Sequence, residues 1–314
     1  MGCARHWLVL ALSLMVAGWS IGQPLRNEPL RPLPEHNDAD PRRAALGARL
    51  FHDARLSGDR RHSCASCHDL ARGGAGGLAR APSLGARRVQ FNTPSIYNSV
   101  FNTVQSWTGR PAALAALPEH AGAAGWDALL APLAADPAFN AQWRAVYGDV
   151  LGAAGAKDAL GHYLRTLVTP SRFDRYLRGD AGALSEDEKA GYARFKSYGC
   201  VACHQGINVG GNMFARLGAM RELPGLRDNP NGQGRFEVTG RETDRFLYRV
   251  PSLRNVALTA PYFHDGSVAT LEQAVDLMFT YQLGRGAPQR DKDLIAGFLR
   301  SLSGERLPPP GAAP

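Results

Sequence analysis

Apolar residues recur along the chain in short helical stripes separated by breaks rich in proline and glycine. Residues 23–40 hold Pro24, Pro29, Pro32 and Pro34 among polar groups and read as an extended lead-in. Asp40 followed by Pro41 has the form of an N-cap with a first-turn proline, and Leu46 and Leu50 repeat at i, i+4 on the side the helix would bury. Asp136 and Pro137 repeat that signal ahead of Phe139, Trp143 and Tyr147. Leu160, Tyr163, Leu164 and Leu167 then mark a helix that ends near Pro170. Ser185 to Glu188 is a capping box, and the helix it opens carries Phe195 and Tyr198 straight into Cys200. Thr270 to Gln273 opens another, in which Leu271, Val275 and Met278 share a face. A last stripe of Leu294, Ile295, Phe298, Leu299 and Leu302 predicts a helix over 291–302, with Gly304 placed to end it. The period is helical throughout, so the expected fold class is mainly α.

An internal repeat underlies this pattern. Pro94-Ser95-Ile96-Tyr97-Asn98 matches Pro251-Ser252-Leu253-Arg254-Asn255. The same register pairs Trp107 with His264, Gly109 with Gly266, Leu114 with Leu271 and Ala121 with Met278. Two related units follow, expected over 41–170 and 171–306, with a disordered tail at 307–314.

Length and charge add less. At 314 residues the chain has room for two ordinary domains. Residues 1–22 have a short basic start, an apolar run from Trp7 to Ala17 and small residues at Gly18, Ser20 and Gly22, which predicts a cleaved signal peptide and no stable membrane span. Export would place the mature protein in the periplasm. The net charge is +8, but no basic run with interleaved aromatics occurs, which excludes nucleic acid as the expected partner. A basic face would instead steer an acidic redox partner.

Candidate chemistry is concentrated in Cys64-Ala65-Ser66-Cys67-His68 and Cys200-Val201-Ala202-Cys203-His204. C-x-x-C-H reads as covalent attachment of a c-type haem, with the thiols bonded to the haem and the histidine ligating its iron. Zinc sites built from C-x-x-C pairs bring their halves within roughly 15–20 residues and do not need the histidine. A thioredoxin-like pair would come once and in a βαβ setting. Of five cysteines, Cys3 lies in the leader and the motifs use the other four, which leaves none for a disulfide. Two c-type haems are expected, one per unit, in two cytochrome c-like domains. The glycine run at Gly73, Gly74, Gly76 and Gly77 reads as a loop passing close to the first of them.

The distal ligands decide what such haems do, because a haem ligated on both faces moves electrons and one with an open face binds a small oxidant. Met278, on an apolar helix face, is a candidate ligand opposite His204, although spacing alone favours an ordinary core methionine there. Met213 and Met220 compete with it. The repeat places Ala121 at the matching point of the first unit, which cannot ligate iron.

With these residues the sequence resembles the bacterial dihaem cytochrome c peroxidases. The resemblance runs through Leu50-Phe51-His52-Asp53-Ala54-Arg55-Leu56-Ser57-Gly58, Asn92-Thr93-Pro94-Ser95 and Trp107. It continues in Phe173-Asp174-Arg175-Tyr176-Leu177, Val250 to Asn255 and Pro261-Tyr262-Phe263-His264-Asp265-Gly266. It implies reduction of hydrogen peroxide at the N-terminal haem. Electrons would enter at the C-terminal haem from a small periplasmic cytochrome c or copper protein. His68 and His204 match the proximal ligands, Met278 the distal ligand of the C-terminal haem, and Trp107 the aromatic residue between the haems. Asn92, with the carbonyls of Thr259 and Pro261, matches a calcium site between the domains, and a homodimer is the candidate assembly.

Three positions depart from the family. Leu84 stands where many members have a displaceable histidine, which implies a first haem open without reductive activation. Leu117 replaces a distal glutamine, and the segment that holds the catalytic glutamate is shorter here, with Ala121 in the nearby register. Glu119 and His120 are the candidates for the acid/base that moves a proton between the peroxide oxygens, a role worth typically ~10²–10⁴-fold. A solvent-facing loop is the competing reading for both, and ligation of the first iron is another for His120. Two alternatives to the peroxidase stay open: a dihaem enzyme that oxidises residues of a partner protein, which the methionine at 278 disfavours, and a dihaem electron carrier.

Overall fold

In the computed structural model the described residues are 25, 27–82, 91–109, 125–226 and 232–306, and they are mainly helical. The longer helices are α1 (Pro41–His52), α2 (Trp126–Ala134), α3 (Pro137–Tyr147), α4 (Ala153–Arg165), α5 (Arg172–Leu177), α6 (Glu186–Ser197), α7 (Leu271–Leu277) and α8 (Gln289–Ser301).

The helix starts follow local chemistry. Asp40 accepts from the main-chain N–H groups of Arg42 and Arg43, and Asp136 from those of Ala138 and Phe139, each with proline in the first turn. Ser185 and Glu188 close a reciprocal box at the start of α6, and Thr270 accepts from Gln273 at the start of α7.

Each unit is built on one pair of crossing helices. In the first, α1 packs on α4 because Gly47 has no side chain; a Cβ there would run into the Ala159 carbonyl. In the second, α6 packs on α8 in the same way, with Gly191 against the Leu294 carbonyl. Leu46, Leu50, Phe139, Trp143 and Leu160 fill the first core, and Phe173, Tyr192, Phe195, Phe298 and Leu302 fill the second. Burying each such large apolar side chain stabilises by roughly 1.5–3 kcal/mol.

The repeat returns as paired hydrogen bonds. Asn98 and Asn255 both adopt left-handed backbone, and both donate from Nδ2 to the Thr169 hydroxyl at 2.8 Å. Their Oδ1 atoms accept from the N–H groups of Thr169 and Gly304, and their own N–H groups donate to the carbonyls of Leu167 and Leu302. The two units meet at this shared threonine.

Four features differ from the sequence expectation or lie beyond it. The last helix ends at Ser301, and Gly304 does not cap it; its bare Cα admits the carbonyls of Thr169 and Pro170. The helix before Cys200 stops at Ser197, and left-handed Gly199 turns the chain into the motif. A two-stranded antiparallel sheet, β1 (Phe214–Arg216) with β2 (Leu247–Arg249), pairs Phe214 with Arg249 and Ala215 with Tyr248. The described part of the lead-in, although it precedes α1, packs on the second unit: Leu30 joins that core, its neighbour Pro29 accepts from Gly206 N–H, and Glu28 holds Tyr192 and Lys196.

Among the described residues no helix is long and apolar enough to cross a membrane. The expected signal peptide at 1–22 and tail at 307–314 lie outside the described residues.

Candidate functional site

Both C-x-x-C-H motifs fold as tight turns that present the histidine next. Cys64–Cys67 is one α turn started by Ser63, and the His68 N–H donates to the Cys64 carbonyl at 2.9 Å. Cys200–Ala202 is a 3-10 turn, and the His204 N–H donates to the Cys200 carbonyl at the same 2.9 Å. Burial pushes the Cys64 and Cys200 thiols up to about 11, so both are protonated. None of the four motif cysteines is paired in a disulfide.

The imidazoles are oriented by the loops that follow. His68 Nδ1 lies 3.3 Å from the Gly74 carbonyl, an arrangement in which Nδ1–H donates and Nε2 keeps its lone pair. Gly73 and Gly74 are left-handed and pack closely against Leu258, Ile96 and Tyr97. Burial lowers the His204 pKa to about 4, with the main chain of Val209 and Pro251 pulling the other way. A neutral imidazole is the form that ligates a metal.

A cavity of about 250 Å³ opens beside the second motif. Cys200, Cys203 and His204 line it together with Met278, and its walls are apolar side chains such as Phe195, Leu271, Val275 and Ile295. Met278 begins a π turn, Met278–Gln282, that continues α7 and closes with Leu283 N–H on the Met278 carbonyl. Such turns re-aim side chains relative to the α-helix that precedes them. Of the competing methionines, Met220 is 67% exposed, and neither it nor Met213 lines this cavity. Two thiols, a neutral imidazole and a thioether around an apolar slot form a donor set that fits a c-type haem.

Between the two motifs the units clasp each other. Asn92 N–H donates to the His264 carbonyl at 2.7 Å, and Arg249 N–H donates to the Trp107 carbonyl at 2.8 Å. The register of the repeat pairs Asn92 with Arg249 and Trp107 with His264, so these two bonds are counterparts. Trp107 is buried, its Nε1–H donates to the Asn92 carbonyl at 2.9 Å, and its ring stands edge-on to His264 with centroids 6.5 Å apart. Phe91 and Tyr248, also paired by the register, complete the ring cluster around His264.

Asn92, Thr259 and Pro261 line the same cavity. The buried Asn92 amide faces the carbonyls of Leu78 at 2.7 Å and Pro261 at 3.3 Å. These are neutral oxygen donors, and among the described residues no cluster of three or more His, Cys, Asp or Glu competes for a metal.

The remaining expected site residues, Glu119, His120, Leu84, Leu117 and Ala121, lie outside the described residues. Sequence reasoning missed two buried arginines on the cavity wall. Arg254 pairs with Asp174 at 2.7 Å, both fully buried, and donates to the carbonyls of Ile207 and Arg31. Arg249 is 3% exposed and donates from Nε to the Ser106 carbonyl at 2.8 Å. The repeat register could have found Arg249, since it stands opposite Asn92.

Residues 41–182 match the family model described as di-haem cytochrome c peroxidase. The cytochrome c peroxidase Ccp of Escherichia coli is 42% identical over 291 residues, which is 90% of this chain, and the chain spans 63% of that relative's length. The cytochrome c551 peroxidase of Nitrosomonas europaea is 38% identical over 307 residues, covering 95% of this chain and 91% of the relative. Among solved structures, a MauG-like protein associated with microbial copper homeostasis superposes with a TM-score of 0.73 at 28% identity, covering 94% of this chain and 96% of that one. The chain belongs to the di-haem cytochrome c peroxidase family.

Proposed function

We propose that this di-haem peroxidase family member works in the periplasm, reducing hydrogen peroxide to water with electrons from a small cytochrome c or copper protein. The observation that carries the reading is the unequal furnishing of two like units: each presents a C-x-x-C-H turn, and one of them adds Met278 to the same cavity as His204. When bound through Cys64, Cys67 and His68 and through Cys200, Cys203 and His204, two c-type haems would supply the two one-electron transfers that peroxide reduction needs.

The chain's own residues then divide the work. Met278 would close the second site to small oxidants and favour electron transfer there. Electrons would enter at this unit and leave towards the first. Trp107 is buried and held between the units by its Nε1–H bond to the Asn92 carbonyl and by the bond its own carbonyl accepts from Arg249, so it would serve as a fixed point on that path. Glu119 and His120 are the proposed proton-moving pair at the first site.

Calcium would sit at Asn92, Thr259 and Pro261, after a half-turn of the Asn92 amide brings Oδ1 to the place now taken by Nδ2. Its role there would be to hold the segments around Asn92 and His264 together.

The test is oxidation of a reduced small cytochrome c by hydrogen peroxide with catalytic amounts of purified holoprotein. Rapid turnover is expected. Two intact haems with no turnover would overturn the peroxidase reading in favour of an electron carrier or an enzyme acting on a partner protein.

A further inference from the structure

Two buried arginines line the cavity of the second motif, and they differ in one respect. Burial lowers the pKa of Arg254, and the paired Asp174 carboxylate opposes that drop. Arg249 is pushed down to about 10 by burial, with no opposing carboxylate. Its Nε is satisfied by the Ser106 carbonyl, but its buried Nη1 has no hydrogen-bond partner among the described residues. A buried guanidinium without a counter-charge is strongly disfavoured. The fold nevertheless fixes the position. Arg249 ends β2, its N–H is bonded to the Trp107 carbonyl, and its side chain lines the same cavity as His204.

The missing partner is therefore an anion that enters the cavity, within reach of a planar fork suited to carboxylate. We propose that Arg249 binds a propionate carboxylate of the haem held at Cys200, Cys203 and His204, and so serves as the fixed counter-charge that positions this haem against the Trp107 turn. The inference rests on the di-haem reading. The register makes it specific to this unit, because the matching place in the first unit holds the uncharged amide of Asn92.

A buried cation beside a haem favours its reduced state, which is the less positive one, so removing the charge lowers the reduction potential. Arg249→Gln, purified with its haems, is counted for haem first and then titrated potentiometrically. Fewer than two haems in the unaltered protein would be a failure of the di-haem reading and not of this one. With two haems in both proteins, the expected result is a shift to lower potential confined to the haem that carries Met278. Arg249→Lys, which keeps the charge, is expected to recover most of it. No shift, or equal shifts at both haems, would overturn the assignment. A midpoint that varies with added chloride or phosphate in the unaltered protein would also overturn it, because the counter-charge would then be a solution anion. If Arg249→Gln does not mature, the propionate bending band in the resonance Raman spectrum of Arg249→Lys is expected to move; an unchanged band would contradict the proposal.

Discussion

In the first unit Gly47 lets α1 press on Ala159, and in the second Gly191 lets α6 press on Leu294. Asn98 and Asn255 make the same left-handed turn and clasp the same Thr169. At other paired positions the units diverge: Asn92 faces Arg249, Tyr97 faces Arg254, Phe91 faces Tyr248 and Trp107 faces His264. The positions that match hold the backbone frame, whereas those that differ, apart from Tyr97 on the first core, line the cavity or join the ring cluster between the units. A scaffold used twice thus keeps its turns while its lining is free to specialise: the register positions that carry Arg249, Arg254 and Met278 in the second unit hold Asn92, Tyr97 and Ala121 in the first.

The comparison can be broken most forcefully at Arg254. Arg254→Met strands Asp174 as a buried charge, and breaking such a pair costs ~3–5 kcal/mol. Hydrogen exchange of the holoprotein should show the loss in α5, α6 and α8 and spare α1 and α4. At the paired position Tyr97→Phe removes only a hydroxyl bond to the Leu70 carbonyl, and about 0.5–1.5 kcal/mol is expected. Equal losses at the two positions would mean that the units are not differently built.

The glycine pair sharpens the likeness instead. Gly47→Ala and Gly191→Ala each force a methyl group into a facing carbonyl, and each should cost about 1–3 kcal/mol in urea unfolding of the holoprotein. A large effect at one and none at the other would deny the common crossing. The smallest effect is expected at the start of α6, where Ser185→Ala removes the side chain that caps Glu188 N–H and should lower stability by ~1 kcal/mol, measured the same way.

What could be read from the sequence was whatever a few neighbouring residues decide. Asp40 with Pro41, Asp136 with Pro137 and Ser185 with Glu188 each start a helix where expected, because a cap needs only its own first turn. What escaped depends on distant partners. Nothing near Leu30 and Leu33 announces that they reach the second unit, where Leu33 N–H binds Asp174. Three-residue strands are too short to show alternation, so the β1–β2 pair left no trace. Gly304 looked like a helix end because glycine often is one, but here the demand is for close approach to Thr169. Charged Arg249 gave no hint of burial, and its place opposite Asn92 in the repeat register went unread.

The most direct test of unequal roles is to add one equivalent of peroxide to holoprotein in which only the higher-potential haem is reduced, following both haems optically and by EPR. The prediction is that the Met278 haem loses its electron while keeping its methionine ligation, and that peroxide alters only the first haem as a ligand. Peroxide binding at the Met278 haem, or no oxidation at either, would contradict the division of labour between the two units.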